Sequence, residues 1–161
     1  MSNPLSPIVS LPGSGAAVSA VGDVYRVLAT GEQTGGSYAL MEAVVYPGGG
    51  PPMHWHTREE ELFYVLEGEI TFTVGDKTVV AKPGTFLQAP RNLKHRFQNT
   101  GTVRARMLIQ TIPAGFEQFM AKFAKPVESI DSPPLPVTPE EIQRLLEVAP
   151  QYGIHICPPE H

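Results

Sequence analysis

Turn residues cut the middle of this chain into pieces too short for ordinary helices. Between residues 53 and 112 the apolar runs are ELFYVL (61–66), ITFTV (70–74), KTVVA (77–81), TFLQA (85–89), HRFQN (95–99) and VRARMLIQTI (103–112). Breaks at Glu67-Gly68, Gly75-Asp76, Pro83-Gly84 and Thr100-Gly101 separate most of them. Within ITFTV, Ile70, Phe72 and Val74 fall on one face and Thr71 and Thr73 on the other, the period of a strand. Short strands punctuated by turns every 8–12 positions or so define an all-β sandwich or barrel. The 17 Pro and 15 Gly among 161 residues are too many for a helical bundle and suit many tight turns.

The flanks read differently. Residues 1–20 are rich in Pro, Ser, Gly and Ala and are expected to form an arm. Strands are expected over 21–29 and 38–46, joined by a turn at 30–37, and PGGGPP (47–52) then breaks the backbone. After Pro113, GFEQFMAKFA (115–124) carries Phe116, Phe119, Met120 and Phe123 at helical spacing. A Pro-rich connector (125–137) leads to a second helix with Thr138 as N-cap, Pro139 at its first position and Glu141 completing a capping box. The expected organisation is an arm with the first strand (1–37), a β-barrel core (38–112) and a C-terminal helical extension (113–161).

Composition excludes several function classes. A net charge of −4 with no cluster of Lys and Arg gives no nucleic-acid footprint. No window approaches the roughly 18 apolar residues of a membrane span. A lone cysteine, Cys157, allows no intrachain disulfide, and residues 1–12 lack the pattern of a signal peptide, so a cytoplasmic location is expected.

Chemistry concentrates in four residues. His54 and His56 are two apart, so on a strand both imidazoles point the same way. Glu61 begins the next strand segment, and His95 lies on a separate strand. Three imidazoles and one carboxylate suit a divalent transition metal such as Mn, Fe, Co, Ni, Cu or Zn. Four protein ligands leave positions open for water, O₂ or substrate, as in a catalytic site. Glu59 and Glu60 are expected to be solvated turn residues, although a one-residue slip would make Glu60 the ligand. Trp55, between the two histidines, should point away from the metal, toward a dimer contact. His155 and Cys157 are too few for a second metal site.

The pattern Gly48-x5-His54-x-His56-x4-Glu61-x6-Gly68 resembles the first motif of the cupins. Gly84-x5-Pro90-x-Asn92-x2-His95-x3-Asn99 resembles the second, with Asn92 where that family usually has Gly. Asn tolerates the left-handed conformation such a turn needs. The resemblance covers about residues 38–112. It implies a jelly-roll antiparallel β-barrel, usually a homodimer, holding one divalent metal ion with His54, His56, Glu61 and His95.

Within that family the chain looks most like quercetinase-type single-domain dioxygenases. That likeness implies that Phe63 and Phe97 line a flavonol pocket and that Glu61 takes a proton from a substrate hydroxyl, with O₂ as second reactant. Tyr38, Met41, Phe72 and Met107 are the further candidates for that pocket, against plain core packing. The aromatic face of residues 116–123 packs on the barrel or, in a sharper reading, lids its mouth. Two alternatives remain open: an isomerase or decarboxylase of a sugar or keto acid, for which Arg104 and Arg106 would supply basic groups, and a non-catalytic small-molecule binder.

Overall fold

The computed structural model of the chain describes residues 5–159. Two antiparallel sheets face each other. One has the order β11-β1-β2-β3-β10-β5-β8: β1 Ala17–Ala20, β2 Asp23–Ala29, β3 Ala39–Val45, β5 Glu60–Glu67, β8 Phe86–Ala89, β10 Ala105–Ile112 and β11 Lys125–Val127. The other has the order β12-β4-β9-β6-β7: β4 His54–His56, β6 Ile70–Val74, β7 Lys77–Ala81, β9 His95–Gln98 and β12 Ile154–Ile156. Helices α1 (Phe116–Phe123) and α2 (Pro139–Val148) follow the barrel.

Alternation builds the core. Phe63 and Val65 of β5, Met107 and Ile109 of β10, Met41 and Ala43 of β3, and Ile70 and Phe72 of β6 all bury their side chains between the sheets. The intervening residues of β5 and β10, Leu62, Tyr64, Arg106 and Leu108, lie on the other face, more exposed. Burying one such large apolar side chain stabilises the fold by roughly 1.5–3 kcal/mol.

Two glycines decide how the loops close. Gly50 has φ +124°, and a Cβ there would run into the backbone of Phe97. Gly68 has φ +70°, and a Cβ would meet Ala105 Cα at 2.9 Å. Asn92 does adopt a left-handed conformation, φ 65°. The Gly48 N–H donates to Asn99 O at 2.8 Å and Asn99 N–H to Gly49 O at 3.1 Å, so the glycine break is tied to the end of β9.

Several expectations at the flanks are corrected. Residues 17–20 leave the arm to form β1, because Val21 and Gly22 turn the chain and let β1 pair with β2. The start of the Pro-rich connector, 125–127, pairs with β1 as an edge strand. Thr138 caps α2, its hydroxyl accepting from Glu141 N–H at 3.2 Å. Glu141 does not complete the capping box; its carboxylate accepts instead from the Val21 N–H at 2.8 Å, fastening α2 to the β1–β2 turn. Residues 154–156 of the tail form β12 on the edge of β4.

Candidate metal centre

Three strands from both sheets bring the four side chains together. His54 and His95 sit directly opposite each other on β4 and β9. His56 is one pleat further along β4. Glu61 enters from β5 in the facing sheet, flanked by Ala89 and Thr111 on the adjoining strands. All four are buried, and their ligand atoms lie within 4.8 Å of one another.

The ring Nε2 atoms converge on Glu61. Its Oε2 is 2.7 Å from His95 Nε2, 3.2 Å from His56 Nε2 and 3.9 Å from His54 Nε2. The opposite ring nitrogens are all engaged. His54 Nδ1 is 2.9 Å from Pro52 O, His95 Nδ1 is 3.0 Å from Leu93 O, and His56 Nδ1 is 3.2 Å from Glu59 Oε2. Each Nδ1 thus has an oxygen placed to accept its proton, so that with a cation bound each Nε2 lone pair would be free to point inward at it.

Burial and charge compete here. Desolvation alone would raise the Glu61 carboxyl, but the His56 charge and the three imidazoles around it, His95 hydrogen-bonded at 2.7 Å, hold it well below the usual carboxylate range. Burial depresses His54, which stays neutral. His56 would be depressed too, but the Glu61 charge nearby and the hydrogen bond to Glu59 raise it to about 9. A divalent cation bound here would take the place of that proton, since ligand imidazoles must be deprotonated.

The donor set fits a metal ion. His56 Nε2 is buried with no hydrogen-bond partner among the described residues, in spite of lying near Glu61. An orphaned buried ring nitrogen facing a carboxylate and two further ring nitrogens is what a bound cation satisfies.

A small cavity opens beside the ligands. Its volume is about 60 Å³, and it is lined by His54 and Glu61, by Phe97 and Ile109 of the barrel, by Phe116, Phe119, Met120 and Phe123 of α1, and by Ile154 and Ile156 of β12, among others. Tyr25 also lines it; burial, with Asp23 and Glu61 adding to it, pushes its phenol well above the ordinary value, so the hydroxyl stays protonated. No Lys or Arg reaches the lining.

The six residues expected to form a pocket are distributed unevenly. Phe97 borders the cavity. Phe63 and Phe72 pack against it, with ring centroids 5.9 and 6.1 Å away, and against each other at 5.0 Å. Met41 and Met107 are fully buried in the core, and Tyr38 precedes β3 at its half-buried start. Trp55 does point away from the ligands, but its ring stacks on His155 of β12 at 4.9 Å. Arg104 and Arg106 stand outside the barrel, paired with Asp131, and Arg106 also with Glu42. Glu60 is partly exposed and paired with Arg91 and Gln88, but it opens β5 instead of lying in a turn; Glu59 is not solvated: it is 1% exposed and bonded to His56.

Sequence reasoning missed Tyr25, Glu59 and β12. Tyr25 was accessible in principle through register, because it lies opposite Ala43, an inward residue of β3. Glu59 and β12 carry no local signal.

A double-sheet barrel with three histidines and one glutamate between its sheets defines a class of small-molecule and metal-handling proteins. Residues 41–110 match the family model described as the cupin domain. Protein SchB of Streptomyces halstedii is 37% identical over 93 residues, covering 57% of this chain and 67% of that protein. The chain belongs to the cupin family. A quercetin 2,3-dioxygenase of Bacillus subtilis is 26% identical over 122 residues, covering 76% of this chain but only 36% of that larger protein. Among solved structures, a predicted oxalate decarboxylase from Thermotoga maritima superposes with a TM-score of 0.59 at 23% identity, over 67% of this chain and 99% of that one, and shares the fold. Among the described residues no helix is long and apolar enough to cross a membrane.

Proposed function

We propose that this chain is a metal-dependent dioxygenase of quercetinase type, acting on a flavonol or a similar enolisable, largely apolar substrate. The observation that carries this reading is the cavity beside the ligands: apolar and aromatic on nearly every side, with one phenol and no cationic group. A sugar phosphate or a small dianion would need basic side chains there, and Arg104 and Arg106 are spent on carboxylates outside the barrel. Distant relatedness to a quercetin 2,3-dioxygenase supports the same reading.

His54, His56, Glu61 and His95 would hold the ion. A divalent metal bound there polarises a substrate oxygen and acidifies its hydroxyl. Glu61 is ionised and borders the cavity, so its free carboxylate oxygen can accept that proton. The Tyr25 hydroxyl donates a hydrogen bond to a second substrate oxygen. Phe97 and the α1 aromatics keep water from the deprotonated ring while O₂ adds to it.

Oxygen-electrode assays on the metal-loaded protein test the proposal. Flavonol-dependent O₂ uptake is expected, with Glu61→Gln lowering kcat by about 10²–10⁴-fold, the range lost when a general base is removed. Metal-loaded protein that consumes no O₂ with any flavonol would reject the activity, and full turnover by Glu61→Gln would reject the role of that carboxylate.

A further inference from the structure

We propose that Glu59 is the positioning residue of the metal centre, its buried carboxylate accepting the Nδ1 proton of His56 and so holding His56 Nε2 on the ion. The inference rests on the metal-binding reading of the site.

His54 and His95 are oriented alike, each Nδ1 on the backbone carbonyl two residues upstream, Pro52 O and Leu93 O. His56 departs from that scheme, and a side chain takes over. Glu59, just before β5, and its neighbour Glu60, the first residue of β5, carry the same charge, yet they are treated differently. Glu60 lies partly in solvent and pairs with Arg91 and Gln88. Glu59 is 1% exposed, and its Oε1 has no hydrogen-bond partner among the described residues. Burying a carboxylate is unfavourable unless something compensates it. In this fold the compensation is one imidazole, and that imidazole is the ligand whose Nε2 is orphaned.

A carboxylate acceptor does two things a carbonyl does less well. It fixes the tautomer with the proton on Nδ1, and it makes Nε2 a stronger donor to a cation. The negative charge adds to that of Glu61, which suits a doubly charged ion. The start of α1 closes over this pair: a Cβ at Gly115 would stand 3.5 Å from Glu59 Oε1, and the Phe116 ring is centred 5.5 Å from that of His56.

The test uses the full-length chain with cobalt(II) as probe, its affinity read by chelator competition at fixed pH and its ligand field by visible absorption. The wild type is compared with Glu59→Gln, Glu59→Leu and, as control, Glu60→Gln. Glu59→Gln should weaken cobalt binding about tenfold and shift the visible bands, Glu59→Leu should weaken it up to about a hundredfold, and Glu60→Gln should match the wild type. Glu59→Gln keeps the side chain's volume, so it carries the test if Glu59→Leu does not fold. Wild-type affinity and an unshifted spectrum in Glu59→Gln, or an equal loss in Glu60→Gln, overturns the role of Glu59 while leaving the metal centre standing. A wild type that takes up no cobalt overturns the metal reading, and this inference with it.

Discussion

Asp23 has no exposure to water, yet it keeps a carboxylate oxygen on the Tyr46 N–H at 3.0 Å. Desolvation raises its carboxyl from 3.8 to about 7, in spite of backbone hydrogen bonds from Tyr46 and Gly50 that oppose the rise. The folded chain therefore holds this proton over a range in which the unfolded chain has released it. The stability contributed by the neutral form is complete below about pH 4 and is lost as the pH rises toward 7. Denaturant titrations at pH 4.5 and 7.5 should show the wild type losing on the order of a few kcal/mol from this group, and Asp23→Asn should remove that part of the slope. An identical pH slope in the variant would mean that Asp23 titrates normally. The residue holds the turn that leads through the glycines to His54, so its ionisation bears on the approach to the metal centre as well as on the fold.

At the scale of elements, α1 bears on what the cavity can admit. A space of about 60 Å³ is far below the roughly 300 Å³ at which ligand pockets begin. Four side chains of α1 form much of its wall. On the proposed function a flavonol would enter only if this wall opened, with α1 as the proposed gate, and helix motions that gate a site come from the less stable parts of a fold. Native-state hydrogen exchange should find the amides of 116–123 exchanging at least about a hundredfold faster than those of β10, whereas equal protection would show α1 to be a fixed wall.

The same scale shows what could be read beforehand. The ligands were legible because their type, parity and spacing are local: His54 and His56 share a strand face, and Glu61 and His95 begin strands closed by recognisable turns. The strands from 61 to 112 were legible through alternation. The partnership of β12 with β4 was not, because nothing in IHI distinguishes a strand from a tail until β4 offers it an edge. Glu59 was misread because local polarity marks a bend as solvated, while its burial depends on α1, which lies far along the chain. Likewise the division of aromatic residues between core and cavity, Phe63 and Phe72 against Phe97, depends on where α1 and β12 settle.

For the molecule as a whole, the outer face of the seven-stranded sheet carries Tyr64 and Phe86 on paired strands, 44% and 59% exposed. Large apolar side chains side by side on a flat sheet suit an isologous contact. Light scattering at micromolar concentration should give a homodimer that Tyr64→Lys dissociates, and a wild-type monomer would contradict this.

The proposed function requires one ion held between the two sheets. Elemental analysis after reconstitution and dialysis tests that directly, comparing the wild type with His95→Ala. The expected result is about one divalent ion per chain in the wild type and less than about a tenth of that in His95→Ala, where one of four ligands is gone. A wild type that retains no ion, or a variant that retains as much, would contradict the four-ligand centre.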